Sequence, residues 1–305
     1  MRTNFITAFG LFLLICGPRA MADPLDGNWY NSYCSRVDLT VSEEGLIQGT
    51  YTSHTGSTGT SLVIGKVHPD TAVGATNGTP FALGVQWRLV NVEESQADGS
   101  WHWVSMFSGQ YHPEQEIVVP DQDTYTIPET LEILNLLIAT ATLSPIADTA
   151  PLTWPQTLNF HKTPPSYCHA VEPGTPVAYT PTATDNISGN WRAESGESLA
   201  LKADLQSGQV TGVYTNGAGD TFNAIGLFDT LAPGSTSESV VKWQGLTLSL
   251  LETGSTSETK LKALAGGVDY SNLTTLYLWT GDLQSTTWTD RFTEQTLDKV
   301  VFTKQ

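Results

Sequence analysis

The sequence repeats its own landmarks. Gly27-Asn28-Trp29 returns as Gly189-Asn190-Trp191, 162 positions later, and Gly49-Thr50-Tyr51-Thr52 returns as Gly212-Val213-Tyr214-Thr215, 163 positions later. Phe160-His161-Lys162 closes the first copy as Phe302-Thr303-Lys304 closes the second. Three landmarks in one order at near-constant spacing restrict the chain to folds in which a unit of about 120 to 140 residues closes its own core and is used twice.

Within each copy, about eight short runs rich in Thr, Val, Tyr and Trp alternate with Gly, Asp, Asn and Ser, the pattern of strands and tight turns in a sandwich or barrel. Long helical periodicity is absent. One stretch stays open: residues 129–141, ETLEILNLLIATA, follow Pro128 and read either as a short helix or as a buried strand. The organisation expected is a signal peptide over 1–22, a first barrel-like unit over 23–163, a linker over 164–187 and a second unit over 188–305. Residues 163–186 hold five prolines, which suits a linker.

The N-terminal segment supports the first of these boundaries. One Arg precedes about a dozen apolar residues, too few to span a bilayer, and Ala20-Met21-Ala22 offers a small-x-small cleavage site. Cleavage after Ala22 would export a soluble protein and remove Cys16. Cys34 and Cys168 remain, and in an oxidising compartment a leftover pair usually bridges, the other readings being free thiols or pairing between chains. Asn77, Asn186 and Asn272 begin glycosylation sequons.

Charge excludes further classes. Fourteen basic against thirty-one acidic residues give a net charge of −17, which repels a phosphate backbone and an anionic membrane surface. No partner of either kind is expected. The histidines His54, His68, His102, His112, His161 and His169 are scattered, and no metal-ligand, nucleophile or phosphate-loop motif is present. The expectation is a protein that is not an enzyme, with no catalytic residues, no metal and no cofactor.

Residues i, i+2 and i+4 of a strand share a face. If its strand runs straight, Trp29, Asn31, Tyr33 and Ser35 share one, as do Gly49, Tyr51 and Ser53. Trp87 falls on the face of Leu83 and Val85, and Trp101, Trp103, Ser105 and Phe107 fall together. Several strands thus set an amide or hydroxyl beside an aromatic ring. A closed barrel could aim them into one cavity; alternatively they bond to nearby backbone or face solvent.

These residues resemble the avidin and streptavidin family. Gly27-Asn28-Trp29-Tyr30-Asn31 resembles the family's opening G-x-W-x-N strand, and GLIQGTYTS over 45–53 its second hairpin. Val85-Gln86-Trp87 is similar to its V-x-W, Phe107-Ser108-Gly109-Gln110-Tyr111 to its W/F-[ST]-G-Q, and Phe160-His161-Lys162 to its closing F-T-K. The match is specific over 26–111 and weak over 111–162. It implies an all-β fold of two tandem antiparallel eight-stranded up-and-down β-barrels. It also implies non-catalytic biotin binding in the first barrel, with biotin a ligand rather than a cofactor.

Carried over by position, Asn31, Ser35 and Tyr51 donate to the ureido oxygen and Ser53 accepts from a ureido N–H. Tyr33 stands in the wall where the family has Leu, Trp87 and Phe107 box the ring system, and Ser105 lies near the thioether. Residues 54–57 match the loop over the carboxylate-bearing chain. The family's strand-seven Trp has no counterpart around Leu134–Ile138. Asn159 would serve as the late polar residue only after a one-residue shift. Trp103 replaces a small hydroxyl residue, and Trp154 stands nearest to the Trp lent by a neighbouring subunit.

The second copy looks emptied. Ala193 replaces Asn31, Glu197 replaces Ser35 and Asn216 replaces Ser53, while Tyr214 remains. Leu250, or Trp243 in another frame, takes the first wall position, Leu264 the next, and Lys262 replaces Ser105. Tyr277 is the candidate for the strand-seven Trp and Trp288 for the lent one. The second barrel is therefore expected to act as a structural or assembly partner, giving an intrachain pseudo-dimer, with a homodimer as the further assembly open to it. The alternative is an interaction module of the same fold that binds carbohydrate or protein and not biotin.

Overall fold

Alternation at period two sorts each strand into an inner and an outer face. In the computed structural model, Trp29 and Asn31 are buried in the opening strand while Asn28 and Tyr30 point away from the core. The structure describes residues 23–54, 59–68, 78–87, 90–91, 96–97, 103–118, 124–140, 152–169, 180–232, 243–253, 260–283 and 297–305. The side chains of 90–91, 96–97, 103, 134–140, 152–157 and 297 lie outside that description.

Every regular element among these residues is a strand. The first half contains β1 (Gly27–Asn31), β2 (Arg36–Val41), β3 (Leu46–Ser53), β4 (Gly59–Val67), β5 (Thr79–Gln86), β6 (Val90–Asn91), β7 (Gln96–Ala97), β8 (Trp103–His112), β9 (Gln115–Ile117), β10 (Tyr125–Ile127), β11 (Thr130–Thr140) and β12 (Leu152–His161). The second half contains β13 (Gly189–Ala193), β14 (Ser198–Asp204), β15 (Gln209–Thr215), β16 (Thr221–Phe228), β17 (Trp243–Glu252), β18 (Leu261–Asp269), β19 (Asn272–Leu283) and β20 (Leu297–Lys304).

Two closed antiparallel barrels of eight strands result. One closes in the order β1-β12-β11-β8-β5-β4-β3-β2, and the other runs β13 to β20 in chain order. Strands β6–β7 and β9–β10 pair separately, in the connections before and after β8. Last and first strands meet at Asn31 opposite Phe160, and at Ala193 opposite Phe302. The stretch that reads as helix or strand is strand β11, with a register shift between Ile133 and Asn135.

The repeated motifs occupy the same places in both barrels. The Trp29 indole N–H donates to Leu25 O at 2.9 Å, and that of Trp191 to Ile187 O at 2.8 Å. Both rings are buried, and each lies under a lysine, Lys162 at 4.1 Å and Lys304 at 5.0 Å from the ring centre. Lys162 also donates to Pro24 O and Asp26 O, and Lys304 to Asn186 O. Gly49 and Gly212 recur because a Cβ there would meet the carbonyl oxygens of Asp38 and Ala200 at about 2 Å.

The barrels touch along their outer faces. Ala82 and Met106 of the first cluster with Leu251, Leu261, Ala263, Ala265 and Leu283 of the second, and Ile64 and Val104 with Leu227. Gln86 Nε2 donates to Phe228 O at 2.6 Å, and Ser249 Oγ to Ala82 O at 3.0 Å. Thr247 Oγ1 stands against Gly84, where a Cβ would be 2.7 Å away.

Strand register relates these contacts. Tyr51 faces Ser61 and Tyr214 faces Phe222. Two residues on, Val63 faces Val85 and Ala224 faces Leu250. Gly84 therefore corresponds to Ser249, and Ala82 to Thr247. Exchanging the barrels turns the Ser249–Ala82 contact into the Gly84–Thr247 contact, so the interface has quasi-twofold symmetry.

Cys34 and Cys168 form a disulfide, with Cα atoms 5.3 Å apart. It ties the chain just past β12 to the β1–β2 turn. Of the sequon asparagines, Asn272 is exposed and Asn186 is partly buried, while Asn77 lies outside the described residues.

Candidate ligand site in the first barrel

Strand β1 ends at Asn31, and a four-residue connection, Ser32 to Ser35, carries the chain to β2. Asn31 N–H donates to Ser35 O at 3.1 Å and Cys34 N–H to Asn31 O at 3.0 Å. The Asn31 side chain completes the turn, because Oδ1 accepts from Tyr33 N at 3.0 Å and from Ser35 N at 2.9 Å. Its acceptor is thus occupied, while Nδ2 lies 3.5 Å from Tyr51 Oη. Ser35 Oγ accepts from His54 N at 3.3 Å, which leaves the hydroxyl hydrogen to donate elsewhere.

Asn31, Ser35 and Tyr51 are all buried. Burial pushes the Tyr51 hydroxyl above its ordinary pKa, and hydrogen bonds with Ser35 and Asn31 pull it partly back. The phenol therefore stays protonated at neutral pH. Ser35 and Asn31 thus donate to the Tyr51 oxygen, and the polarity left to the cluster is donation, from the Tyr51 hydroxyl and the second Asn31 N–H.

An aromatic cluster adjoins it. Tyr51 packs edge-on against Trp87 at 4.9 Å and against Phe160 at 6.2 Å, and lies 6.1 Å from Phe107. Trp87 and Phe107 are 6.2 Å apart, also edge-on. Ser105 Oγ accepts the Trp87 indole N–H at 2.8 Å, which uses one of its two acceptor positions. Ser53 is partly buried at the end of β3, on the face of Tyr51. Phe160, which entered the sequence reading only as a landmark, belongs to this cluster; its spacing of two from Leu158 was the available signal.

A small apolar hollow, with a volume of about 10 Å³, lies among Val37, Val63, Leu83, Val85, Phe107 and Phe160; among the described residues that line it, Tyr51 alone carries a polar side-chain atom. Asn31, Ser35, Ser53, Trp87 and Ser105 do not line it. The sequence reading placed donors and rings around a single cavity. In the structure the rings close on one another, and the hollow continues toward Phe81 and Leu131, away from the turn.

Three positions depart from the sequence reading. Tyr33 is 54 % exposed and outside the barrel wall, because β1 stops before it and the turn rotates it outward. The counterpart of Trp87 is Glu252 rather than Leu250, since Val85 matches Leu250 by register. Tyr277 lies on the outer face against Trp243 at 5.0 Å, while Leu276 and Leu278 face the core, so it does not replace an interior Trp. Asn159, which the sequence reading admitted only after a one-residue shift, alternates away from the inward Leu158 and Phe160. Residues 55–57 and 288, and the side chains of Trp103, Leu134, Ile138 and Trp154, lie outside the described residues.

The second barrel keeps the turn and changes its chemistry. Ala193 N–H donates to Glu197 O at 2.9 Å and Gly196 N–H to Ala193 O at 3.1 Å, the same pair of bonds. In place of the Ser35 hydroxyl, the Glu197 carboxylate accepts from Tyr214 Oη at 2.7 Å and from Ser195 Oγ at 2.5 Å. Burial, then the bond to Glu197 and its charge, push the Tyr214 pKa up. Register sets Leu264 opposite Leu248 and Lys262 opposite Leu250, as Phe107 faces Leu83 and Ser105 faces Val85. Lys262 is ion-paired with Asp282.

By class, then, the chain is a tandem pair of closed eight-stranded antiparallel β-barrels, one with an interior donor cluster and one with that cluster replaced. Its sequence matches no protein-family model and no curated protein.

Proposed function

We propose that the first barrel binds, without chemistry, a small molecule that presents a carbonyl oxygen, and that biotin, with its ureido oxygen, is that ligand. The observation that carries this reading is the polarity of the Asn31–Ser35–Tyr51 cluster. The Asn31 acceptor is used by backbone N–H groups and Tyr51 stays protonated, so what meets a ligand is donors. Buried, preorganised donors favour an acceptor atom over water, each contributing about 0.5–1.5 kcal/mol net. The rings of Trp87, Phe107 and Phe160 supply an apolar wall. Because Trp87 contacts Tyr51, entry of a ring system requires Trp87 to swing and release Ser105.

The second barrel serves as the structural partner of the first. Glu197 occupies its tyrosine hydroxyl, and a carboxylate there repels an acceptor oxygen. We place the protein outside the cell, an oxidising setting in which a disulfide such as Cys34–Cys168 persists; among the described residues no helix is long and apolar enough to cross a membrane. Exposed Asn272 is the first candidate for glycosylation.

Titration calorimetry with biotin tests the reading, and one site per chain, weakened by Ser35→Ala, is expected. Two sites per chain would overturn the reading of the second barrel. No heat, with tryptophan emission unchanged, would overturn the ligand and leave an interaction module for carbohydrate or protein.

A further inference from the structure

The β1–β2 turn is held from outside the barrel as well as from within. Cys34 has φ +61°, and it is the one non-glycine residue with positive φ among the described residues. That conformation disfavours any residue with a Cβ. The second barrel makes the same turn with Gly196 at φ +98°, which carries no such penalty. The first barrel instead has a cysteine there, bridged to Cys168. The neighbouring Tyr167 donates from Oη to Ser32 O at 3.0 Å. Ser32 and Cys34, two of the four residues between β1 and β2, are therefore anchored to the segment that leaves β12. The second copy contains no cysteine, yet its barrel closes, so closure of this fold does not call for a bridge.

What the turn carries explains where the bridge is placed. The N–H groups of Tyr33 and Ser35 hold Asn31 Oδ1, and so fix which end of the amide points to Tyr51. We infer that the Cys34–Cys168 bridge, with Tyr167, is a positioning device for the donor cluster, holding the Asn31 amide and Ser35 hydroxyl toward the barrel interior. The ligand part of this inference rests on the proposed function; the orientation of the turn does not.

The test compares the full chain with Cys34→Ala/Cys168→Ala, Cys34→Gly/Cys168→Ala and Tyr167→Phe. Amide hydrogen exchange at Tyr33 and Ser35, biotin affinity by calorimetry and far-ultraviolet circular dichroism are read for each. The alanine pair should keep the strand spectrum, exchange both amides about tenfold faster and bind biotin about tenfold more weakly, the size of one lost hydrogen bond. The glycine variant, which borrows the residue used by the second barrel, should recover most of both losses, and Tyr167→Phe should fall between it and wild type.

Unchanged amide exchange in the alanine pair would overturn the inference. So would loss of the strand spectrum in both cysteine variants, since the bridge would then be needed for folding. If wild type binds no biotin while the amides respond as stated, the proposed ligand fails and the positioning role stands.

Discussion

In the first barrel the hydroxyl of Tyr51 faces an amide and a serine; in the second the hydroxyl of Tyr214 donates to Glu197 at 2.7 Å. Around this difference the frame is unchanged. Both barrels have a buried Trp bonded to the carbonyl four residues before it and a lysine over its ring. The same turn hydrogen bonds recur as well. The comparison teaches that the frame depends on backbone closure and on a few packing residues. The interior polar positions are free to carry donors or a carboxylate, provided each buried group finds a partner.

The largest expected effect tests the shared frame. Trp29→Ala and Trp191→Ala should each destabilise their own barrel by about 3–5 kcal/mol, read as separate shifts in urea unfolding. A much smaller loss in one would show that the barrels do not rest on equivalent residues. Next comes a transplant. Ser35→Glu copies the second barrel into the first and should weaken biotin binding about a hundredfold or more, because the carboxylate captures Tyr51 and opposes the ligand oxygen. Retained affinity in calorimetry would remove the functional contrast.

A pH measurement sharpens the electrostatic part. Tyr51 and Tyr214 have pKa values raised by folding, so their contribution to stability is complete below the unfolded tyrosine pKa of about 10 and is lost as pH rises above it. Urea midpoints should be insensitive to these groups up to that pH and fall beyond it. Glu197→Gln removes two of the causes at Tyr214 but leaves burial, so the alkaline fall should become shallower without vanishing. The smallest effect concerns the interface. Gln86→Leu, which imitates its counterpart Leu251, deprives Phe228 O of a buried donor and should cost about 1 kcal/mol.

Much of this was legible in the sequence. The repeat located both barrels, and alternation placed Trp29, Asn31, Tyr51 and Phe107 on inward faces. It failed where the physical signal was missing. Strand β5 is buried along its whole length, because one face meets the core and the other the second barrel; its inward face of Leu83 and Val85 was read correctly, but the buried outer face was not announced. Such a run carries no alternation to read. The same ambiguity affected β11, which also runs beside the second barrel. Tyr33 was misplaced because nothing in its type announces that a strand ends two residues earlier; only the positive φ of Cys34 does. Glu197 could be aligned with Ser35, but its bond to Tyr214 depends on a rotamer that the sequence does not encode.

The tryptophan and lysine at the start of each barrel make it a cup rather than a tube. Leu25 and Trp29 are inaccessible, and Lys162 bonds to the backbone beside them. Among the described residues that end of the first barrel is closed, so a ligand of the kind proposed would enter and leave past the opposite rim, which bears Ser35 and His54, and its dwell time would be set there.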